Sequence, residues 1–279
     1  MTVGIALQFR SDDHKRGIVL ISDRMVSVGP WGVEMPAHKP YVLYNNKETT
    51  VMAVGAGTLS VISEYLRTLT SSLGKEESLS MLDVAKKAND EYVNLLREKV
   101  QREVLDPFHI DFDDFVSQNG IRREMYDDIE YRIRTDTMRQ YFRDLGVLVA
   151  GVDESGPMIF TIEDSLKYRE SGRVGFDAIG SGFESADWTL MHRQFDANKD
   201  LFYALQLGMY AKLQAEESSG VGRDTDAYII QQGKITEVPE NILDSIRKDF
   251  EADLKAQKLR MDESIKKMRD GKNEWKEIR

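Results

Sequence analysis

Residues 17–27 read Gly-Ile-Val-Leu-Ile-Ser-Asp-Arg-Met-Val-Ser. Four consecutive apolar side chains, Ile18 to Ile21, have no polar residue between them, so this run predicts a strand buried on both faces. It ends in Asp23-Arg24, a charged pair at the point where the strand runs out. Upstream, Val3, Ile5, Leu7 and Phe9 alternate with other residues, the period of a strand, and a charged turn at 11–16 joins the two.

Working outward, residues 42–44 and 50–54 read as a strand pair around the polar turn Asn45–Glu48. Gly55-Ala-Gly57 follows, and then Leu59, Ile62, Leu66, Leu69 and Leu73 at helical steps of three and four. A second helix is predicted over 81–105. The charged and aromatic segment 106–144 reads as mostly helical. Strands resume at 145–152 and 157–162, and again at 174–179, which runs into Gly180-Ser-Gly182 and a short helix toward Met191. Residues 201–215 are apolar on nearly every side and predict a buried helix. A hairpin over 226–231 and 234–237 precedes one long amphipathic helix or two. The order strand pair, Gly-x-Gly, helix thus occurs twice, at 42–73 and 145–191, without repeating in sequence. Blocks of hairpins and helix pairs favour stacked antiparallel sheets over alternating β-α-β units, so the expected class is α+β, a four-layer αββα sandwich. The expected organisation is one domain over 1–238, with a helical insertion at about 106–144, and a charged helical extension over 239–279.

Composition narrows the function. Of 279 residues, 41% are hydrophobic and 31% charged, a globular mix long enough for a sizeable core. There are no cysteines, which removes disulfides, thiolate metal sites and a cysteine nucleophile together. A formal charge of −10 argues against nucleic acid or an anionic membrane as a general partner. The start lacks the basic and long apolar parts of a signal peptide, and no stretch approaches the ~20 apolar residues of a membrane span, so the expectation is a cytoplasmic protein. His14, His38, His109 and His192 show no ligand spacing, and no metal or other cofactor is expected.

Two features invite chemistry. Gly-x-Gly between a strand and a helix suits a phosphate, but Gly180-Ser-Gly182 lacks the third glycine of a dinucleotide loop and the lysine of a Walker loop. Tight strand-to-helix turns explain these glycines as well. The other feature is Thr2. A methionine before a small residue is normally removed, which would leave threonine with a free α-amine. That amine titrates near neutrality, at about 7.7–8.0. One residue then supplies both nucleophile and base.

Several pieces of the chain, in order, resemble the proteasome β-subunit family, a group of N-terminal-nucleophile (Ntn) hydrolases. They are Thr2-Val-Gly-Ile-Ala-Leu7, the 17–27 run, Ala53-Val-Gly-Ala-Gly-Thr58, Leu148-Val-Ala-Gly-Val-Asp153 with Gly156-Pro157, Phe176-Asp-Ala-Ile-Gly-Ser-Gly182 and Asp226-Ala-Tyr-Ile-Ile230. The resemblance implies Thr2 as nucleophile, Lys39 as the cation beside it and Asp23 as the acid that orients the lysine. It implies the Gly55 N–H as oxyanion donor and Ser181 as partner of the terminal amine. Ser219 matches a second supporting serine, and Glu216 or Glu217 falls nearest the family's supporting aspartate. Each has a plainer reading: a turn pair at Asp23-Arg24, an edge lysine at Lys39 followed by Pro40, a small turn residue at Ser181, a solvated helix end at Glu216 and Glu217.

The implied activity is a threonine peptidase or amidase acting on peptide or protein substrates, with transpeptidation as a variant and a non-catalytic ring or scaffold subunit as the rival. A homo-oligomeric ring is implied, with an unfoldase ATPase as a further partner. With only Met1 before Thr2, no self-cleaved propeptide is expected, and the lack of a longer arm argues against an α-type subunit. Val26, Met52 and Ala53 suggest a small or apolar specificity pocket.

Overall fold

The computed structural model describes residues 2–10, 16–28, 33–163, 166–171, 174–218 and 220–270. Two five-stranded antiparallel sheets carry the fold. In the first, β1 (Gly4–Arg10) lies between β2 (Arg16–Asp23) and β10 (Phe176–Ile179), and β2 continues to β11 (Thr225–Gln231) and β12 (Lys234–Glu237). In the second, the order is β5 (Tyr41–Asn45), β6 (Thr50–Gly57), β7 (Leu145–Asp153), β8 (Gly156–Ile162) and β9 (Arg169–Glu170). A hairpin of β3 (Met25–Val28) and β4 (Val33–Pro36), which the sequence pattern does not announce, follows directly on β2. The 11–16 turn lies, apart from Arg16, outside the described residues.

The double burial of β2 has a simple cause. Ile18 and Leu20 point into a core between the sheets, with Ala6, Met52, Val54, Leu148, Ala150 and Ile159. Ile21 points the other way, against α7 (Leu201–Ala215). There the absence of a side chain at Gly208 is what admits the strand, since a Cβ would sit 2.7 Å from Leu7 and 2.8 Å from Ile21. Each such side chain contributes about 1.5–3 kcal/mol by leaving water. α6 (Phe183–His192) pairs with α7 on this outer face. On the far face, α1 (Leu59–Leu73) and α2 (Met81–Val100) cover the second sheet through Tyr65, Leu69, Val84, Ala88 and Tyr92. The result is the αββα sandwich. α2 starts on a capping box, Ser80 with Asp83, which satisfies two of its orphan donors.

The segment between α2 and β7 is helical as expected, in short pieces: α3 (Phe112–Ser117), α4 (Arg123–Arg132) and α5 (Arg139–Asp144), with wider π-type turns at Gln101–Leu105 and Ile133–Met138. Phe115, Ile129 and Tyr141 join the outer core beside Tyr92, so the segment thickens the helical layer. Its last residue, Asp144, accepts from the Thr58 hydroxyl (2.9 Å) and, through its carbonyl, from the Thr58 N–H (2.8 Å). By contact the chain divides into Met1–Val238 and Pro239–Arg279, and the described residues of the second unit form one helix, α8 (Glu240–Asp270). Among the described residues no helix is long and apolar enough to cross a membrane.

One carboxyl is left at a disadvantage. Asp187 on α6 has a buried Oδ1 without a hydrogen-bond partner. Burial, and next the charge of Asp177, push its pKa up from 3.8 to about 6, against the pull of Arg169. The folded state therefore holds this proton more tightly than the unfolded chain. The resulting stabilisation is complete below the unfolded value and is lost as pH rises through about 6. Asp187→Asn is expected to flatten urea-melt stability across that window and to gain roughly 1 kcal/mol at pH 7, the full linkage value being cut by solvent screening.

Candidate active site

The site is built around the end of β2. Asp23 is fully buried. Its Oδ1 accepts from the Val3 N–H (2.9 Å) and the Lys39 ammonium (2.7 Å). Its Oδ2 accepts from the N–H groups of Met25 (3.1 Å) and Gly222 (3.0 Å). Four donors on one carboxylate make its burial tolerable. They also tie four segments together: the start of β1, the turn into β3, the segment before β5 and the loop before β11. Gly222 has no room for a side chain, because a Cβ would lie 2.5 Å from the Met25 Cβ.

Lys39 reaches from Asp23 to Thr2, with Nζ 2.5 Å from Thr2 Oγ1. Its side chain is 8% exposed. Burial lowers its pKa below the usual lysine range, while the charges of Asp23 and Asp226 oppose that shift. The Thr2 nitrogen donates to Ser181 Oγ (3.3 Å). The Thr2 carbonyl accepts from Ser181 Oγ (3.4 Å) and the Gly182 N–H (3.3 Å). Gly180 holds this turn with φ of 88°, and a Cβ there would overlap the Thr2 carbonyl, so glycine is required on two counts.

Gly55 is placed by register. The Asn46 N–H donates to the Thr49 carbonyl, so along β6 the odd-numbered residues turn their amides toward β5. β5 begins at Tyr41, opposite Ala53. Lys39 comes two residues before Tyr41 and Gly55 two residues after Ala53, so both leave the paired region at the same end of the two strands. The Gly55 N–H thus faces the segment that carries the lysine.

Glu216 is the C-cap of α7, and its Oε1 accepts from Lys212 Nζ (2.5 Å). Ser219 lies outside the described residues. Met52 and Ala53 do not line one pocket: they are neighbours on β6, and Met52 packs between the sheets while Ala53 packs under the helices. Alternation along a strand sends them to opposite faces. The side chain of Val26 is outside the described set.

Three groups escaped the reading of the sequence. Asp226, 1% exposed, accepts from Arg24 Nε (2.7 Å) and contacts His38 Nδ1 (3.0 Å). A His-Lys dipeptide at 38–39 was the signal for it. Lys212 is fully buried, and a lone lysine on an otherwise apolar helix, four residues before Glu216, marked it. Gly222 carried no signal at all. Among the described residues no group of three or more His, Cys, Asp or Glu is placed to hold a metal ion. Asp23→Asn leaves Lys39 without its counter-charge, and urea unfolding at pH 7 should show a loss of about 3–5 kcal/mol.

Neither a protein-family model nor a curated protein matches the sequence. Solved structures resemble it in fold. Anbu (ancestral beta-subunit) from Yersinia bercovieri superposes with a TM-score of 0.63 at 14% identity, over 91% of this chain and 94% of its own. An Anbu (Gly-1) mutant from Hyphomicrobium sp. strain MC1 gives 0.63 at 14%, over 92% and 96%. At that identity the likeness is one of fold: this chain and Anbu share the sandwich of two antiparallel sheets between helical layers.

Proposed function

We propose that this chain is an N-terminal-nucleophile amidohydrolase that cleaves peptide bonds through an acyl-enzyme on Thr2. The observation that carries the reading is the line Thr2 Oγ1, Lys39 Nζ, Asp23 Oδ1, with separations of 2.5 and 2.7 Å. A buried lysine with a lowered pKa, anchored by a carboxylate and aimed at a hydroxyl, is an arrangement for moving a proton off that hydroxyl.

The chemistry follows from the geometry. Cutting the bond before Thr2 frees its amine beside Ser181. Thr2 Oγ1 attacks the substrate carbonyl carbon, and its proton passes to Lys39 or the amine. The negative oxygen is held by the Gly55 N–H. The C–N bond breaks as the leaving amine takes up the proton, and the acyl group stays on Thr2 as an ester. Water, deprotonated by the Thr2 amine, releases the acid. An amine in place of water would give transpeptidation from the same ester. Assembly into a homo-oligomeric ring that encloses the site, fed by an unfoldase ATPase, completes the reading as a protease.

Intact mass before and after a β-lactone or peptide epoxyketone is the direct check. A chain beginning at Thr2 that gains one adduct supports the proposal. A chain that begins at Met1 and gains none overturns it in favour of a scaffold subunit. Thr2→Ala should abolish turnover. Because burial lowers the Lys39 pKa, the acylation rate should rise with pH to a plateau reached below 10.5. Lys39→Arg, whose guanidinium keeps its proton, should lose at least ~100-fold.

A further inference from the structure

α7 is a helix buried in apolar surroundings, yet its Lys212 is 0% exposed. An ammonium in such a place costs several kcal/mol unless it is paired and fully bonded. The lysine spends its donors on the loop that follows the helix. Nζ lies 2.5 Å from Glu216 Oε1 and 2.6 Å from the Arg223 carbonyl. The same carbonyl also accepts from the Thr225 hydroxyl at 3.2 Å.

Arg223 adjoins Gly222, whose N–H is one of the four donors to Asp23. On its other side, the Asp224 carbonyl accepts from the Arg24 N–H at 3.0 Å, one residue past Asp23. The stretch from 222 to 224 is therefore clamped between a buried ammonium behind it and the Asp23 turn in front. We infer that Lys212, neutralised by Glu216, is a positioning residue: it fixes the Gly222 N–H on Asp23 and so sets where Asp23 holds Lys39. This rests on the proposed role of Lys39 and gives Glu216 a task other than supporting the Thr2 amine.

The pair can be removed without leaving a stranded charge. Replacing a buried ion pair by apolar residues of similar volume is often neutral for stability. Lys212→Met with Glu216→Leu should therefore fold, with a melting temperature within about 5 °C of the parent. Acylation of Thr2 by a β-lactone, followed by intact mass, separates the maximal rate from the inhibitor affinity. The paired variant should acylate at least ~10-fold more slowly at saturation, with affinity changed less than about twofold. A saturating rate within twofold of the parent, in the folded paired variant, overturns the inference. If the paired variant does not fold, Glu216→Gln replaces it, because it weakens the hold on Lys212. A saturating rate reduced about threefold supports the inference, and an unchanged rate overturns it.

Should the parent itself take no adduct, the proposed function fails and the positioning claim is still decided by urea melts. The midpoint shift caused by Asp23→Asn should shrink by about half or more in the Lys212→Met/Glu216→Leu background. Additive shifts would show that Lys212 and Asp23 do not act together.

Discussion

The interaction on which the rest depends is the burial of one carboxylate. Asp23 has no exposure to solvent, and it escapes the penalty of that position only because four donors converge on it. Those donors come from parts of the chain as distant as Val3 and Gly222. The constraint therefore runs outward. The β1–β2 register, the hairpin after β2, the segment before β5 and the loop after α7 are each fixed in part by a requirement of the same two oxygens. Lys39 receives its orientation from this arrangement, and its lowered pKa from the burial that comes with it.

Much of the fold was legible because its strands are extreme. A run such as Ile18–Ile21 has a single physical reading, burial on both faces, and that demands sheets stacked in layers. The helices at Leu59–Leu73 and Leu201–Ala215 declare themselves for a related reason, one amphipathic and one apolar throughout. The hairpin Met25–Val28 with Val33–Pro36 did not, because its four-residue strands are too short to show a period. The short helices between Gln101 and Asp144 were visible only as helical character. Their boundaries depend on π-type turns and caps that carry no sharp pattern.

The site divides along a different line. Thr2, Asp23, Lys39 and Ser181 were singled out through a resemblance to a family, and the structure links them in a row of hydrogen bonds, Ser181 to Thr2, Thr2 to Lys39 and Lys39 to Asp23. Their roles are a matter of chemistry that geometry alone motivates. Glu216 or Glu217 fell nearest the family's supporting aspartate, and the structure shows Glu216 paired with Lys212, one helical turn earlier, a partner that the sequence alone did not single out. Gly222 contributes through its backbone, which no residue-type argument detects.

Asp144 closes the helical insertion, and its carbonyl fills the space that a Cβ on Gly57 would need. Gly57 itself sits at φ of 127°, a backbone state that other residues resist. The insertion and the end of β6 are thus joined by a volume restraint as well as by the bonds to Thr58. Phe115, Ile129 and Tyr141 tie residues 106–143 to the outer core, so within this segment the exposed positions tolerate exchange and these three do not. Positions 57 and 144 are coupled by that restraint: a side chain at 57 has to displace the backbone of Asp144, so a change at one is felt at the other across the intervening helices α1 to α5.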